Sequence, residues 1–239
     1  MIFISDSHVS QNNLRSINTY DTFKLVISKI NNMPDKNIIF LGDNVQDGIS
    51  QNYDLLFNQI NLIENKNIYM IAGNHDDKDL LKNYCSKYNI IYCFNTPKVI
   101  DNQQYYFLDS NVKNEDYGTV EQTSLDKLEK YLNEAVSNQV IVCMHHHAHP
   151  TNDLMDNYII KNNDEVLGLF QKYSHKIKYV ISGHTHKFNN YNYNGVKYYH
   201  APSSAFLFNF LDKKNTLSVE FIKKASLLTY NQNMELILC

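Results

Sequence analysis

Five short apolar runs in this chain each end in a cluster of histidine, aspartate or asparagine side chains. The clusters are Asp6-Ser7-His8, Gly42-Asp43, Gly73-Asn74-His75-Asp76, His145-His146-His147 and Gly183-His184-Thr185-His186. Imidazole, carboxylate and amide donors without a thiolate favour Mn, Fe, Co or Zn over the cysteine-rich structural zinc class. The set holds more donors than one ion can use. Two ions about 3.5–4 Å apart that share a carboxylate would use them, and would suit in-line displacement at phosphorus.

These clusters are expected to converge, because each follows a predicted strand and the carboxyl ends of the strands in an α/β sheet share one edge. Side chains two residues apart in an extended segment point the same way. We therefore expect Asp6 with His8, and His184 with His186, each to reach a single site. Glycine before Asp43 permits the sharp turn that such a cluster needs.

The elements that must position the clusters are short apolar strands that alternate with amphipathic helices. Strands are predicted at Ile2–Ile4, Ile38–Leu41, Ile68–Ala72, Val140–Met144 and Tyr179–Ser182, with a hairpin of Val99–Asp101 and Tyr105–Leu108. Helices are predicted at Tyr20–Ile30, Tyr53–Ile63, Leu80–Tyr88, 125–135 and Val166–Tyr173. The tail, with Val196–His200 and Leu217–Ile222, is expected to form antiparallel strands. The polar stretches Asn111–Thr119 and Thr151–Asn163 are interpreted as long loops, which are often functional in a compact domain.

Length and charge limit the classes of protein to which this chain can belong. The 239 residues are enough to bury a proper core, and we expect a single domain over residues 1–239. Arg15 is the only arginine among 22 basic residues and the net charge is −3, which argues against polymeric DNA or RNA as a partner. The chain starts without a leader-like segment and contains no run of 18 apolar residues, so we expect a cytoplasmic protein with no membrane partner.

The ordered motifs D-x-H, GD, GNHD, a strand ending in HH, and GHTH resemble those of the calcineurin-like metallophosphoesterases. Within that superfamily, the HHH-x-x-P form at His145 to Pro150 and the later 201–204 stretch Ala-Pro-Ser-Ser resemble the bacterial class III cyclic-AMP phosphodiesterases. The resemblance extends from about Ile2 to about Ser204. It implies an α/β fold of four layers, an αββα sandwich in which two mixed β-sheets are flanked by helices.

The resemblance also implies a role for each motif residue. One metal ion would be held by Asp6, His8 and His186, and the other by Asn74, His145 and His184. Asp43 would bridge the two ions, and His75 would be the catalytic histidine beside the scissile phosphate. The residues expected to contact the substrate are Asn74, His75, His146 and His147. The ions are expected to be Fe and Mn, with Zn or Co as alternatives.

The function implied is hydrolysis of 3′,5′-cyclic nucleotides, cyclic AMP first, to nucleoside monophosphates by a hydroxide that two metal ions activate. The alternatives on the same site are a phosphomonoesterase, a 2′,3′-cyclic-nucleotide phosphodiesterase and a nucleotide pyrophosphohydrolase. An alternative of another class is a non-catalytic scaffold. The expected partner is a small-molecule nucleotide substrate, and the oligomeric state stays open.

Overall fold

The computed structural model describes residues 1–135, 139–151, 153–213, 216–223, 225–231 and 233–239. Its helices are α1 (Thr19–Asn31), α2 (Ser50–Ile60), α3 (Lys78–Lys87), α4 (Gln122–Glu134) and α5 (Asn163–Lys172). The strands of the first half are β1 (Ile2–Ile4), β2 (Asn37–Leu41), β3 (Asn67–Ile71), β4 (Ile91–Tyr92), β5 (Thr96–Ile100), β6 (Gln103–Phe107) and β7 (Val140–Met144). Those of the second half are β8 (Ile177–Ser182), β9 (Asn189–Tyr193), β10 (Val196–His200), β11 (Phe206–Lys213), β12 (Thr216–Lys223), β13 (Ser226–Asn231) and β14 (Asn233–Leu238).

The first sheet has the strand order β14-β13-β1-β2-β3-β4. Strands β1 to β4 run parallel, and β13 and β14 are added antiparallel at the β1 edge. The helices α1, α2 and α3 connect each of these parallel strands to the next, as the alternating sequence pattern predicts. The carboxyl ends of β1, β2 and β3 consequently share one edge.

The second sheet has the strand order β5-β6-β7-β8-β10-β9. The hairpin β5–β6 is antiparallel, whereas β6, β7, β8 and β10 run parallel. The prediction of an all-antiparallel tail is therefore wrong for Val196–His200, which pairs parallel with β8 on one side and antiparallel with β9 on the other. Apolar alternation predicts a strand but does not report the direction of its neighbours.

Three apolar clusters define the layers. One packs α1, α2 and α3 on the outer face of the first sheet, and another packs α4 and α5 on the outer face of the second. The third lies between the inner faces of the two sheets and includes Phe3, Leu41, Phe107 and Ile141. This is the four-layer αββα sandwich with two mixed sheets that the sequence motifs predict. The shared inner core supports the single-domain interpretation, which stays a prediction.

The helices form where local chemistry favours them, and each begins one to three residues before the predicted start. Helix α1 is capped by Asn18, whose side chain accepts from the Asp21 amide at 3.0 Å, and α3 is capped by the Asp77 carboxylate. Phe23, Val26 and Ile30 bury the inner face of α1 at helical spacing. In the part of the chain that the structure describes, none of the helices has the length and apolarity needed to span a membrane.

Candidate metal centre

The polar clusters do converge, at the carboxyl ends of β1, β2 and β3 in the first sheet and of β7 and β8 in the second, as their place after the strands predicts. The backbone that presents them differs from the prediction. Five of the expected ligands have a positive φ: Asp6 (50°), His8 (43°), Asp43 (50°), His184 (68°) and His186 (58°). They are left-handed and not extended, so the argument from strand alternation is wrong for them. Residues other than glycine rarely adopt this conformation, and such strain concentrates at functional sites.

The first ligand group consists of Asp6, His8 and His186, which each offer a donor atom within 4.8 Å of the other two. All three side chains are buried. The His8 and His186 Nε2 atoms approach each other to 3.1 Å. His186 Nδ1 lies 3.0 Å from the Phe206 carbonyl oxygen, which fixes the ring and leaves Nε2 for a ligand. The group matches the donor set expected for one metal ion.

The second ligand group consists of His145, His146 and His184, again with donor atoms within 4.8 Å of one another. His145 Nδ1 lies 2.8 Å from the Leu41 carbonyl, and its Nε2 lies 3.0 Å from the Asn74 Oδ1 atom. The Nε2 atom of His184 is buried and has no hydrogen-bond partner among the described residues. Thus Asn74, His145 and His184 meet as expected, although His184 and His186 belong to different groups.

Asp43 lies between the two groups. Its Oδ2 atom is 3.6 Å from His8 Nε2, and its Oδ1 atom is 3.4 Å from His145 Nε2. It also shares candidate ion-binding clusters with Asp6 and His145, and with His8 and His75. A carboxylate that faces both groups has the position of a bridging ligand.

The electrostatics of the cluster fit bound cations. Burial lowers the pKa of His145, but the Asp43 and Asp6 carboxylates and the Leu41 carbonyl outweigh it and raise the pKa to about 9. Burial and neighbouring imidazoles hold the pKa of His8 and of His184 well below the ordinary value, so these rings are neutral donors. The buried carboxylates therefore attract a cation, and the neutral imidazole nitrogen atoms beside them are available to coordinate it.

His75 lies beside the two ligand groups and lines both of the cavities that open there. Its Nδ1 atom is 2.7 Å from the Gln46 carbonyl oxygen, and its backbone N–H donates to Asp43 Oδ1 at 2.9 Å. Burial lowers the pKa of His75, whereas Asp43, the Gln46 carbonyl and Asp116 raise it, and the net shift is upward. The ring is thus held in one orientation with Nε2 left for a substrate, as a proton donor requires.

A cavity of about 270 Å³ opens over this centre. It is lined by ligands from both groups (His8, His184, His186, Asp43, Asn74), by His75, and by the aromatic side chains Tyr158, Phe206 and Phe208. Arg15, Gln46 and Asp116 also line it. His146 and His147 do not line this cavity and are buried, so their predicted contact with a substrate stays a prediction.

Several residues to which the sequence assigned no role hold the centre together. The Asp76 carboxylate accepts from the Gly73 and Asn44 amides at 2.9 and 3.1 Å, and so joins the loops that carry Asn74 and Asp43. The Ser203 hydroxyl donates to the Asp6 carbonyl at 2.8 Å. Phe206 and Phe208 lie on β11, in the tail that carried no motif. Asp116 lies in the polar stretch Asn111–Thr119, whose length was the only available signal.

Comparisons with known proteins agree with this geometry. The model of the calcineurin-like phosphoesterase family matches residues 1–188. The chain is 29% identical to a probable cyclic nucleotide phosphodiesterase of Xenorhabdus bovienii, over 92% of this chain and 90% of that protein. It is 27% identical to the 3′,5′-cyclic adenosine monophosphate phosphodiesterase of Haemophilus influenzae, over 87% and 77%. It is 26% identical to a probable glycerophosphodiester phosphodiesterase of Arcobacter nitrofigilis, over 78% and 71%.

Among solved structures, a dimetal phosphatase from Danio rerio superposes with a TM-score of 0.68 at 13% identity, covering 98% of this chain and 94% of that one. A putative 5′-nucleotidase from Staphylococcus aureus superposes with a TM-score of 0.54 at 15% identity, covering 93% and 52%. At these identities the likeness concerns the fold alone.

Proposed function

The chain belongs to the calcineurin-like phosphoesterase family and is a hydrolase, and from that premise we propose that it hydrolyses 3′,5′-cyclic nucleotides at a centre of two divalent metal ions. Cyclic AMP is the first substrate to test, and the product is a nucleoside monophosphate. The family membership removes the alternative of a non-catalytic scaffold.

The observation that carries the proposal is the shared cavity. Ligands of both groups, the imidazole of His75 and a wall of three aromatic rings all border the same space of about 270 Å³. A phosphate over the ligands places its ester oxygen within reach of His75, while a nucleobase can stack on Phe208, the partly exposed ring beside the buried Phe206. A compact phosphate ester with a flat aromatic substituent fits this combination.

The two ligand groups and Asp43 would hold the ions, and Asn74 Oδ1 supplies a further oxygen beside His145. Mixed nitrogen and oxygen donors without a thiolate favour Fe, Mn, Zn or Co, with Fe and Mn the first pair to test. When bound, such ions lower the pKa of water and neutralise charge on phosphate oxygens.

The chain's own residues supply the remaining steps. The Gln46 carbonyl fixes the His75 ring, and the upward shift of the His75 pKa favours the protonated ring that donates to a leaving sugar oxygen. The aromatic wall excludes water from one side of the cavity and orients the nucleobase. Arg15, at the cavity lining, contributes a positive charge towards the anionic substrate.

The names of the curated relatives support a cyclic nucleotide as the substrate, since those from Xenorhabdus bovienii and Haemophilus influenzae both carry it. The test is a panel assay of the metal-reconstituted protein against 3′,5′-cyclic nucleotides, 2′,3′-cyclic nucleotides and open phosphate esters. We expect kcat/KM to be highest for a 3′,5′-cyclic nucleotide. A higher kcat/KM for a phosphomonoester, a 2′,3′-cyclic nucleotide or a nucleotide pyrophosphate would replace the proposed substrate by that alternative.

A linear phosphodiester is the second candidate, because a second cavity of about 450 Å³ shares Asn74 and His75 with the first. Such a space could take the second arm of an open diester. The relative from Arcobacter nitrofigilis is named for an activity of that kind. The same panel includes a glycerophosphodiester to separate the two candidates.

A further inference from the structure

We propose that His146 is a direct ligand of the second metal ion, which makes that site a three-imidazole site beside Asp43 and Asn74. The inference rests on the proposed dinuclear centre and concerns a residue that the sequence motifs place on the substrate side. The relevant histidines are His145 and His146, which follow β7 directly and whose rings both lie in the imidazole cluster with His184.

The rings of His145 and His146 lie 4.9 Å apart, centroid to centroid, at an interplanar angle of 82°. The His146 ring is 4.5 Å from that of His184. One ring nitrogen from each of the three residues lies within 4.8 Å of the other two. Donor atoms that share one ion at bond lengths of about 2.0–2.1 Å are spaced within this limit.

The Nε2 atom of His146 supplies an independent observation. The residue is fully buried, and Nε2 has no hydrogen-bond partner among the described residues. The His184 Nε2 atom is likewise buried without a hydrogen-bond partner among the described residues. Buried polar atoms are nearly always satisfied, so two unsatisfied nitrogen atoms in one cluster of imidazoles indicate a shared partner that is not a protein group.

The orientation of the His146 ring is built into the fold. Ser110 Oγ lies 2.9 Å from Nδ1 and also accepts from the His146 backbone amide at 3.2 Å. Gly118 packs against the ring so closely that a Cβ there would lie 2.7 Å from the ring carbon Cγ. An outer partner on Nδ1 and a closed face are the support that a metal-binding histidine usually has.

The third histidine of the run is different, because His147 Nε2 lies 3.3 Å from Asp156 Oδ1 and His147 is outside the imidazole group.

The consequence is an asymmetric centre. The first ion would have two imidazoles with Asp6 and Asp43, whereas the second would have three imidazoles with Asp43 and Asn74. Nitrogen donors suit Fe, Zn, Co and Ni better than Mn or Mg. The second site should therefore be the tighter one for Co²⁺.

The test is a Co²⁺ titration of the demetallated full chain, with bound equivalents measured by mass spectrometry and the Co²⁺ environment by visible absorption. His146→Ala is compared with His147→Ala, a matched variant that removes an equally buried imidazole one position along. We expect wild type and His147→Ala to bind two equivalents. In His146→Ala one equivalent should weaken by at least the roughly 10–100-fold that loss of an outer partner costs.

Added imidazole should restore that equivalent in His146→Ala and change nothing in His147→Ala. Wild-type affinity for both equivalents in His146→Ala would overturn the assignment, as would an equal loss in both variants. If circular dichroism shows that His146→Ala is unfolded, Ser110→Ala keeps the ring and removes only its Nδ1 partner. It should weaken the same equivalent by about 10–100-fold, and unchanged affinity in that variant would also overturn the assignment.

Hydrolysis is scored apart from metal binding. A wild-type protein that binds two Co²⁺ ions but hydrolyses no cyclic nucleotide would remove the proposed substrate and leave the assignment of His146 standing. Cyclic-nucleotide hydrolysis with unaltered Co²⁺ binding in His146→Ala would do the reverse.

Discussion

The two ligand groups are built differently although they share Asp43. In the first group, His8 and His186 line the cavity, and His186 is held by the Phe206 carbonyl on β11, the strand that also forms the aromatic wall. In the second group, His145 and His146 lie behind the cavity, and His145 is held by the Leu41 carbonyl of the core strand β2. The carbonyl that orients the first group therefore belongs to the strand of the substrate wall, whereas the carbonyl that orients the second belongs to the core, although His184 of the second group also lines the cavity.

This difference predicts which of the two metal ions a given substitution affects. A substitution in the cavity wall should reach the first ion before the second, because one strand carries both the wall and the carbonyl that orients a ligand. A substitution in the second group should change metal content with little effect on how substrate is recognised. The predictions below test the comparison, from the residue common to both groups to the wall alone.

Asp43→Ala should have the largest effect, because it removes a carboxylate that faces both groups. We expect both metal equivalents to weaken and turnover to fall by at least about 10⁴-fold, since each ion supplies several kcal/mol to the reaction. Metal analysis and cyclic-nucleotide assays measure the two quantities. Asp47→Ala, an exposed aspartate in the same loop, is the control. Two full equivalents in Asp43→Ala would show that the groups are independent.

His186→Ala and His145→Ala should each remove one equivalent and leave the other, with turnover lower by about 10³-fold in both. The reason is that His186 clusters with Asp6 and His8, whereas His145 clusters with His146 and His184 and meets the first group through Asp43 and Asp6. Co²⁺ absorption of the singly loaded variants should differ, because the remaining donor sets differ. His175→Ala, at an exposed histidine outside the centre, should behave as wild type. Identical residual spectra would contradict the division into two groups.

His75→Ala should leave metal content unchanged and lower the hydrolysis of a cyclic nucleotide by about 10²–10⁴-fold. A sugar alkoxide needs a proton as the P–O bond breaks, whereas p-nitrophenolate leaves without one. Hydrolysis of bis(p-nitrophenyl) phosphate should therefore fall far less. The activation of water is common to both substrates and cancels in the ratio. Equal losses would mean that His75 positions the phosphate and does not donate a proton.

Phe208→Ala should have the smallest effect on activity, and any effect on metal binding should be confined to the first ligand group. The Phe208 ring lies 4.2 Å from that of His186, so its loss loosens the wall and that ligand together. KM for a cyclic nucleotide should rise by about 5–100-fold, the value of one stacking contact, while KM for a phosphomonoester without a base changes little. Phe94→Ala, an exposed phenylalanine elsewhere, is the control. A weakened second equivalent in Phe208→Ala would contradict the coupling to the first ion.

The sequence determined the order of the elements and predicted the donor residues, whose metal-binding role stays a prediction. Donor types and their place after apolar runs are local properties, so they were visible at Asp6, Asp43 and His145 without a structure. The same holds for the helix that Asn18 caps, because capping involves residues three positions apart. The four layers followed from the resemblance of the motifs and were confirmed by the cores on either side of each sheet.

Only the tertiary structure decided the backbone conformation that presents the donors. The resemblance already divides His184 and His186 between two ions, but the left-handed backbone that turns these neighbours to different groups was not predicted. Aspartate and histidine adopt positive φ more often than most residues, yet residue type alone does not say which of them do so. The environments of His146 and His147 differ because Ser110 and Gly118 contact the His146 ring, whereas Asp156 contacts the His147 ring. These contacts join different elements of the fold. Such contacts depend on how the elements pack against one another, and this packing is determined by the assembly of both sheets around their common core.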